Sequence, residues 1–274
     1  MISGICTALN AYAADMEICG ELKQGEMVML QNIRPDIKEL TLNNRVYPIT
    51  EDRQALIAFH RDEKSKVKMS ATLNDGAKLN YDLDIKPAKW DIQHVKGVAQ
   101  HKVTPDKSHE NEIWREQTEV GRALRFMQAG DYWREGFMMP VAGRISGEFG
   151  NQRIFNGTPK SPHTGTDIAA PEETPVQTSS SGVVILSGND YFYSGNTLII
   201  DHGQGLQTVY AHLKEFYVRQ GDEVKKGDVI GVVGKTGRAT GPHLHWGASL
   251  NNVRFRPQSL LETKGENCLK LEAK

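Results

Sequence analysis

The sequence predicts a mainly β protein in two parts, a small all-β N-terminal domain over residues 20–100 and a larger all-β domain over residues 140–262, joined by a helix over residues 106–130. Three observations carry that expectation. Residues 65–86 alternate between apolar and polar side chains. Residues 106–128 are rich in helix formers, with apolar residues near helical spacing. From Pro140 onward glycine becomes frequent, and short apolar runs are separated by turns.

In "SKVKMSATLNDGAKLNYDLDIK", Val67, Met69, Ala71 and Leu73 fall on one face, and Leu79, Tyr81, Leu83 and Ile85 do so after a turn around Asp75-Gly76. Successive side chains of a strand point to opposite faces, so this text is a hairpin with one buried face. Just before it, "KELTLNNRVYPI" reads as a second hairpin turning at Asn43-Asn44, since asparagine tolerates the backbone of a tight turn. This N-terminal region holds no concentration of residues suited to catalysis.

The connecting stretch "DKSHENEIWREQTEVGRALRFMQ" sets Ile113, Val120, Leu124 and Met127 near helical spacing, with Gly130 positioned to stop the helix. Trp114 within it reads as a packing residue. Beyond Pro140, the runs "GVVIL", "NTLIID", "QTVYAHL" and "GDVIGVVG" are short strands between glycine-rich turns.

Composition removes several classes of partner. The 274 residues carry 33 Lys+Arg against 34 Asp+Glu, a formal net charge of -1, so no basic excess is available for nucleic acid. No apolar run approaches the length of a membrane span. Residues 1–13, ending in Ala11-Tyr12-Ala13, fit the small-x-small end of a secretory signal, although the basic start of such a signal is missing. Cleavage there would remove Cys6 and leave Cys19 and Cys268 near opposite ends. A disulfide between them is expected in an oxidising compartment, which implies a periplasmic or secreted protein.

The chemistry lies in the second half. In an extended chain His243 and His245 of "GPHLHWG" point to one side while Leu244 faces the core, and His163 and Asp167 of "SPHTGTDIAA" are likewise an even number of positions apart. "TVYAHL" adds His212. Imidazole and carboxylate are good zinc ligands, and a catalytic zinc uses three protein ligands and an open position for water, whose pKa falls to about 7. The cluster exceeds that need, so two histidines are left to orient water, take its proton or stabilise an oxyanion. Spacing alone does not select the three ligands. His60, His94, His101, His109 and His202 read as structural or surface residues.

"HTGTD", "VYAHL" and "GPHLHWG", in that order and at those intervals, resemble the lysostaphin/LytM-type zinc metallo-endopeptidases that cut peptidoglycan peptides. The likeness extends to "GRISGEFGNQR", "TPVQTSSSGVVILSG" and "VRQGDEVKKGDVIGVVGKTGRATGPHLH", and covers roughly residues 140 to 260. It implies a LytM-type β-sandwich or open-sheet catalytic domain holding one Zn2+ per chain. On this resemblance His163, Asp167 and His245 match the ligands, while His212 and His243 match the pair beside the reacting water. Peptidoglycan peptides are the implied partner, and a periplasmic setting points to a D,D-cross-link.

Departures from the family pattern are few. Gly247 follows Trp246 where a polar residue is common, and Glu173 stands where glycine usually precedes Thr-Pro-Val. "NQRIFNGTPKSP" is expected to form a loop beside the groove, with Tyr191 and Tyr193 on another. Three rival functions follow from the same text. A non-catalytic relative that activates another hydrolase would be expected to lack a ligand, and all are present. A biotinyl or lipoyl carrier would need a lysine in a setting such as Met-Lys-Met. A phosphate loop at "GVVGKTG" would need glycine where Val229 stands. The N-terminal domain is expected either to cover the groove or to support the fold.

Overall fold

The computed structural model describes residues 14–262 and 268–273. The expected signal remnant at residues 1–13, with Cys6, lies outside the described residues. The N-terminal part contains β1 (Met16–Cys19), β2 (Met27–Gln31), β3 (Ile37–Leu42), β4 (Arg45–Tyr47), β5 (Ala55–Ala58), β6 (Lys66–Leu73) and β7 (Lys78–Asp84). Both hairpins form as the alternation requires. Asn43 and Asn44 take the turn between β3 and β4 at φ 50° and 62°. Across β6 and β7, Val67, Met69, Ala71, Tyr81 and Leu83 are buried. The sheet order is β4-β3-β6-β7, beside a second sheet that includes β1, β2 and β5.

The connection between the two parts is more than a tether. β8 (Ile92–Val95) leaves the N-terminal sheets, and is followed by the short helix α1 (Gln100–Val103) and then by α2 (Glu110–Ala123). α2 ends well before Gly130: its last turn tightens, with the Arg125 N–H donating to Arg122 O and the Phe126 N–H to Ala123 O, and the chain beyond it is tied to the C-terminal part. Gln207 Nε2 donates to Phe126 O at 2.8 Å and the Gln204 N–H to Gln128 O at 3.0 Å. Leu124 packs with Leu186, Tyr191, Ile199 and Val209. Trp114 does not pack as expected: it is 69% exposed, on the face of α2 that points away from that cluster.

The C-terminal part comprises β9 (Arg144–Gly147), β10 (Gln152–Phe155), β11 (Thr158–Pro159), β12 (Thr166–Ala169), β13 (Pro175–Gln177), β14 (Gly182–Tyr191) and β15 (Gly195–Asp201). It continues with β16 (Leu206–Phe216), β17 (Glu223–Val224), β18 (Val229–Val233), β19 (His243–Leu250) and β20 (Val253–Phe255). Its main path runs β17-β14-β15-β16-β19-β12-β9, with β13, β18 and β20 joined beside it. The segment expected as a loop from Asn151 is instead the hairpin of β10 and β11, turning at Asn156 (φ 48°) and Gly157 (φ 85°), and β8 lies parallel along β10. The mainly β expectation holds.

Three links tie the parts together. β21 (Cys268–Leu271) returns to pair with β1, where Cys19 and Cys268 face each other in a disulfide. Such a bridge contributes roughly 2–4 kcal/mol. Arg256 donates to both oxygens of the buried Glu26 at 2.7 and 2.9 Å. One apolar core runs from Met16 to Leu260 through both parts. No helix among the described residues is long and apolar enough to cross a membrane.

His202 lies in the core as a structural residue. It is fully buried, with Nδ1 at 2.7 Å from Ser181 O and Nε2 at 2.7 Å from Thr208 Oγ1. Burial pushes its pKa down to about 4. The folded state therefore holds a neutral ring that the unfolded chain protonates near pH 6.5. This contribution is complete above that pH and is lost as pH falls toward 4, by up to roughly 3 kcal/mol. His202→Gln is expected to lower the melting temperature at pH 7 and to flatten its fall between pH 6.5 and 4, as followed by circular dichroism. Equal slopes in the two proteins would contradict this.

Candidate metal centre

The centre is built on the register of two strands. β12 and β19 pair antiparallel with Asp167 opposite His245, so both side chains leave the sheet on the same face. Their neighbours Ile168 and Leu244 are fully buried on the other face. His163 precedes β12 and is held outside the strand by its backbone, which accepts from the Gly150 N–H and donates to Asn151 O, both at 2.9 Å. Gly165 lies between them because a Cβ there would come within 2.7 Å of His245 Nε2. Gly147 is required for the same reason against Asp167 Oδ2, at 2.8 Å.

His163 Nε2, His245 Nδ1 and Asp167 Oδ1 form a near-equilateral triangle with edges of 2.9, 2.9 and 3.0 Å. The edge between ligands of a tetrahedral zinc with bonds of about 2.0–2.1 Å is about 3.3 Å, so this donor set fits the ion with a shift of a few tenths of an ångström. Among the described residues these three are the group whose ligand atoms gather closely enough to hold a metal. His163 Nδ1 donates to Glu148 O at 3.0 Å, which leaves Nε2 as the free lone pair. Burial holds the His163 pKa down and brings that of His245 to about 4, so both rings are neutral at pH 7. Burial alone would raise the Asp167 carboxyl, but the adjacent His163 and His245 hold it well below the usual range.

Two more imidazoles face the triangle. His212 sits at φ 62°, where Ala211 and His212 together oppose the single residue Thr197 across β15. This bulge turns the His212 ring toward the centre. Its Nδ1 lies 2.8 Å from Thr236 O, burial lowers its pKa to about 3, and its ring centroid is 4.6 Å from that of His243. His243 Nδ1 is 2.9 Å from Gly241 O, and its Nε2 is 3.8 Å from Asp167 Oδ1. In both rings a backbone carbonyl fixes Nδ1 as donor and leaves Nε2 facing the site. His60, His94, His101, His109 and His202 stay outside the ligand triangle.

Arg153 was not singled out from the sequence, yet it binds Asp167 Oδ2 directly, leaving Oδ1 to the ligand triangle. Gln93 of β8 accepts from Arg153 Nε at 3.2 Å and donates to Ser146 O at 3.0 Å. Of the two tyrosines expected beside the groove, Tyr191 turns away and donates to Glu119 Oε2 of α2 at 2.5 Å. Tyr193 stays at the groove, its ring centroid 4.4 Å from the Arg238 guanidinium. Trp246 is fully buried, so it forms no wall of the cleft, and a Cβ at Gly247 would come within 3.2 Å of the Val209 Cβ. Glu173 occupies φ 71°, the backbone region that explains glycine as the more usual choice there.

Two histidines and a carboxylate on a β-sheet floor, faced by two further histidines, form a group that could hold one metal ion. Residues 161–257 match the family model described as peptidase family M23. Over 98 residues it is 49% identical to a protein named DD-carboxypeptidase/endopeptidase Mpg from Neisseria meningitidis serogroup B, covering 36% of this chain and 22% of that one. Over 120 residues it is 46% identical to one named peptidoglycan DD-endopeptidase ShyA from Vibrio cholerae, covering 43% and 27%. The chain thus matches about a quarter of the length of these relatives. A crystal structure described as a peptidase M23 from Pseudomonas aeruginosa matches far more broadly, at 25% identity and a TM-score of 0.65, covering 89% of this chain and 96% of that one.

If the triangle is the zinc site, His245→Ala is expected to remove stoichiometric zinc binding, as measured by elemental analysis of the dialysed protein. Full zinc content and full activity of that variant in a metal-replete assay would exclude His245 as a ligand.

Proposed function

We propose that the chain is a zinc-dependent endopeptidase that hydrolyses peptide cross-links of peptidoglycan outside the cytoplasm, with one Zn2+ held by His163, Asp167 and His245. The observation that carries this reading is the ligand triangle faced by two further imidazoles whose Nδ1 atoms are both tied to carbonyls. Zinc there supplies a Lewis acid for the scissile carbonyl and acidifies water at neutral pH. His212 and His243 present Nε2 to the reacting atoms, one taking the proton and the other stabilising the oxyanion. Burial keeps the His212 ring neutral at pH 7, which suits proton acceptance at its Nε2, whereas an oxyanion is stabilised by a ring that carries a proton at that atom. The names of the Neisseria and Vibrio relatives favour a D,D-cross-link, and the Cys19–Cys268 bridge supports a periplasmic or secreted setting. The rival reading, a non-catalytic domain that activates another hydrolase, is disfavoured because every ligand and both partner histidines are present.

Digestion of purified cross-linked peptidoglycan by the full chain is expected to remove cross-linked dimers, as read by mass analysis of the released muropeptides. A zinc chelator is expected to abolish that loss. His212→Ala and His243→Ala are each expected to retain zinc and to lose roughly 10²–10⁴-fold in rate. Dimers that persist with zinc bound would favour the activator reading.

We also infer that the N-terminal part covers one end of the groove. Gln93, Val95 and Val98 line the same cavity as His243 and Asp167, which supports a cover. Removing residues 14–105 is expected to raise the rate on a soluble peptide substrate. A fall would mean that this segment braces the site instead, through Gln93 on Arg153 and through Lys102 Nζ on Phe192 O at 2.8 Å.

A further inference from the structure

Beside the ligand triangle lies a cavity of about 220 Å³ whose walls include His243, Asp167, Arg153, Arg238 and Phe155. Its charges are unequal. Asp167 is neutralised by Arg153 and by the metal it is suited to hold. The guanidinium of Arg238 is half-buried and has no carboxylate within ion-pair distance among the described residues. It lies against two rings, with centroids 4.6 Å away at Phe155 and 4.4 Å away at Tyr193. These ring contacts lie on its faces, and Arg238 lines the cavity. The backbone below is fixed as well, since the Arg238 N–H donates to Tyr193 O at 2.8 Å.

A cation withdrawn from water without a counter-ion costs free energy, and here burial lowers the Arg238 pKa with the charge of Arg153 acting in the same direction. Arg153, close by, has its anion within the protein; Arg238 has none among the described residues. The planar fork of a guanidinium matches the two oxygens of a carboxylate, and the preorganised position leaves little rotamer freedom to lose on binding.

We propose that Arg238 binds a free carboxylate of the peptide substrate next to the scissile bond, so that the centre selects acidic peptides over their amidated counterparts. This rests on the endopeptidase reading and specifies its substrate class. Two sources share the chemistry: the terminal carboxylate of the residue that follows the scissile bond, and a side-chain carboxylate of the peptide.

The test uses the zinc-loaded full chain and three matched cross-linked peptides: the free acid, its terminal amide and its side-chain amide. The wild-type protein is expected to prefer the free acid over one of the two amides by roughly 10- to 100-fold in kcat/KM, and the amide that suffers identifies the source. Arg238→Gln is expected to bring the acid-to-amide ratio near unity, mainly through KM, and Arg238→Lys to restore part of it. An acid-to-amide ratio that is the same in wild type and Arg238→Gln overturns the proposal. Should none of the peptides be cut, the endopeptidase reading fails, and calorimetric Kd values for the same peptides still judge Arg238. A preference for the acid that disappears in Arg238→Gln supports it, and equal Kd values refute it. Unchanged melting temperatures exclude misfolding as the cause.

Discussion

The centre depends on one cross-strand pairing, Asp167 opposite His245 between β12 and β19. A slip of one residue would turn one strand over, burying Asp167 and exposing Ile168 if β12 moved, or burying His245 and exposing Leu244 and Trp246 if β19 moved. Those three residues are fully buried, so the hydrophobic core fixes the register, and the register in turn fixes the ligand triangle. Selection for packing on one face of the sheet thereby holds the chemistry on the other. His163, outside the strand, is added to this frame by two backbone hydrogen bonds to Gly150 and Asn151.

The surroundings of the centre come from three separate stretches of chain. β10 supplies Arg153 to Asp167, β8 supplies Gln93 to Arg153, and α2 supplies Glu116, whose Oε2 accepts from the Phe192 N–H at 2.7 Å. The stretch joining the two parts is therefore a structural component of the groove. A carboxylate held on one oxygen by a guanidinium keeps a single orientation, and the other oxygen faces the two imidazole nitrogens without a search over rotamers.

How far the sequence displays all this depends on the range of the interactions involved. Strand alternation is local, so the hairpins at Asn43-Asn44 and around Asp75-Gly76, the buried Leu244 and the shared face of His243 and His245 could all be read from neighbouring residues. The Asn156-Gly157 turn was equally local. Asn-Gly between apolar residues is a strong hairpin signal, and the chain turns there between β10 and β11 rather than forming an open loop. Long-range features left no such trace. Nothing near His212 announces the bulge that aims it, because the bulge arises from a two-against-one pairing with β15. The parallel pairing of β8 with β10, and with it the role of Arg153, joins residues about sixty positions apart. Helical spacing extends α2 toward Gly130, but the helix ends at Ala123, and the residues after it are held by Gln204 and Gln207 of the C-terminal part. Trp114 lies on the outer face of that helix, which composition alone could not reveal.

The Cys19–Cys268 bridge and the β1–β21 pairing close the chain into a ring through which the groove-bearing part is threaded as one long insertion, 249 positions from cysteine to cysteine. A protease that cut once between β7 and β8 would open that ring without detaching anything, because the N-terminal sheets would remain linked to the C-terminal strand by sulfur and by backbone pairing. Release of the N-terminal part needs a second event, either reduction of the bridge or another cut. In an oxidising compartment a single nick would therefore leave both parts in one covalent assembly.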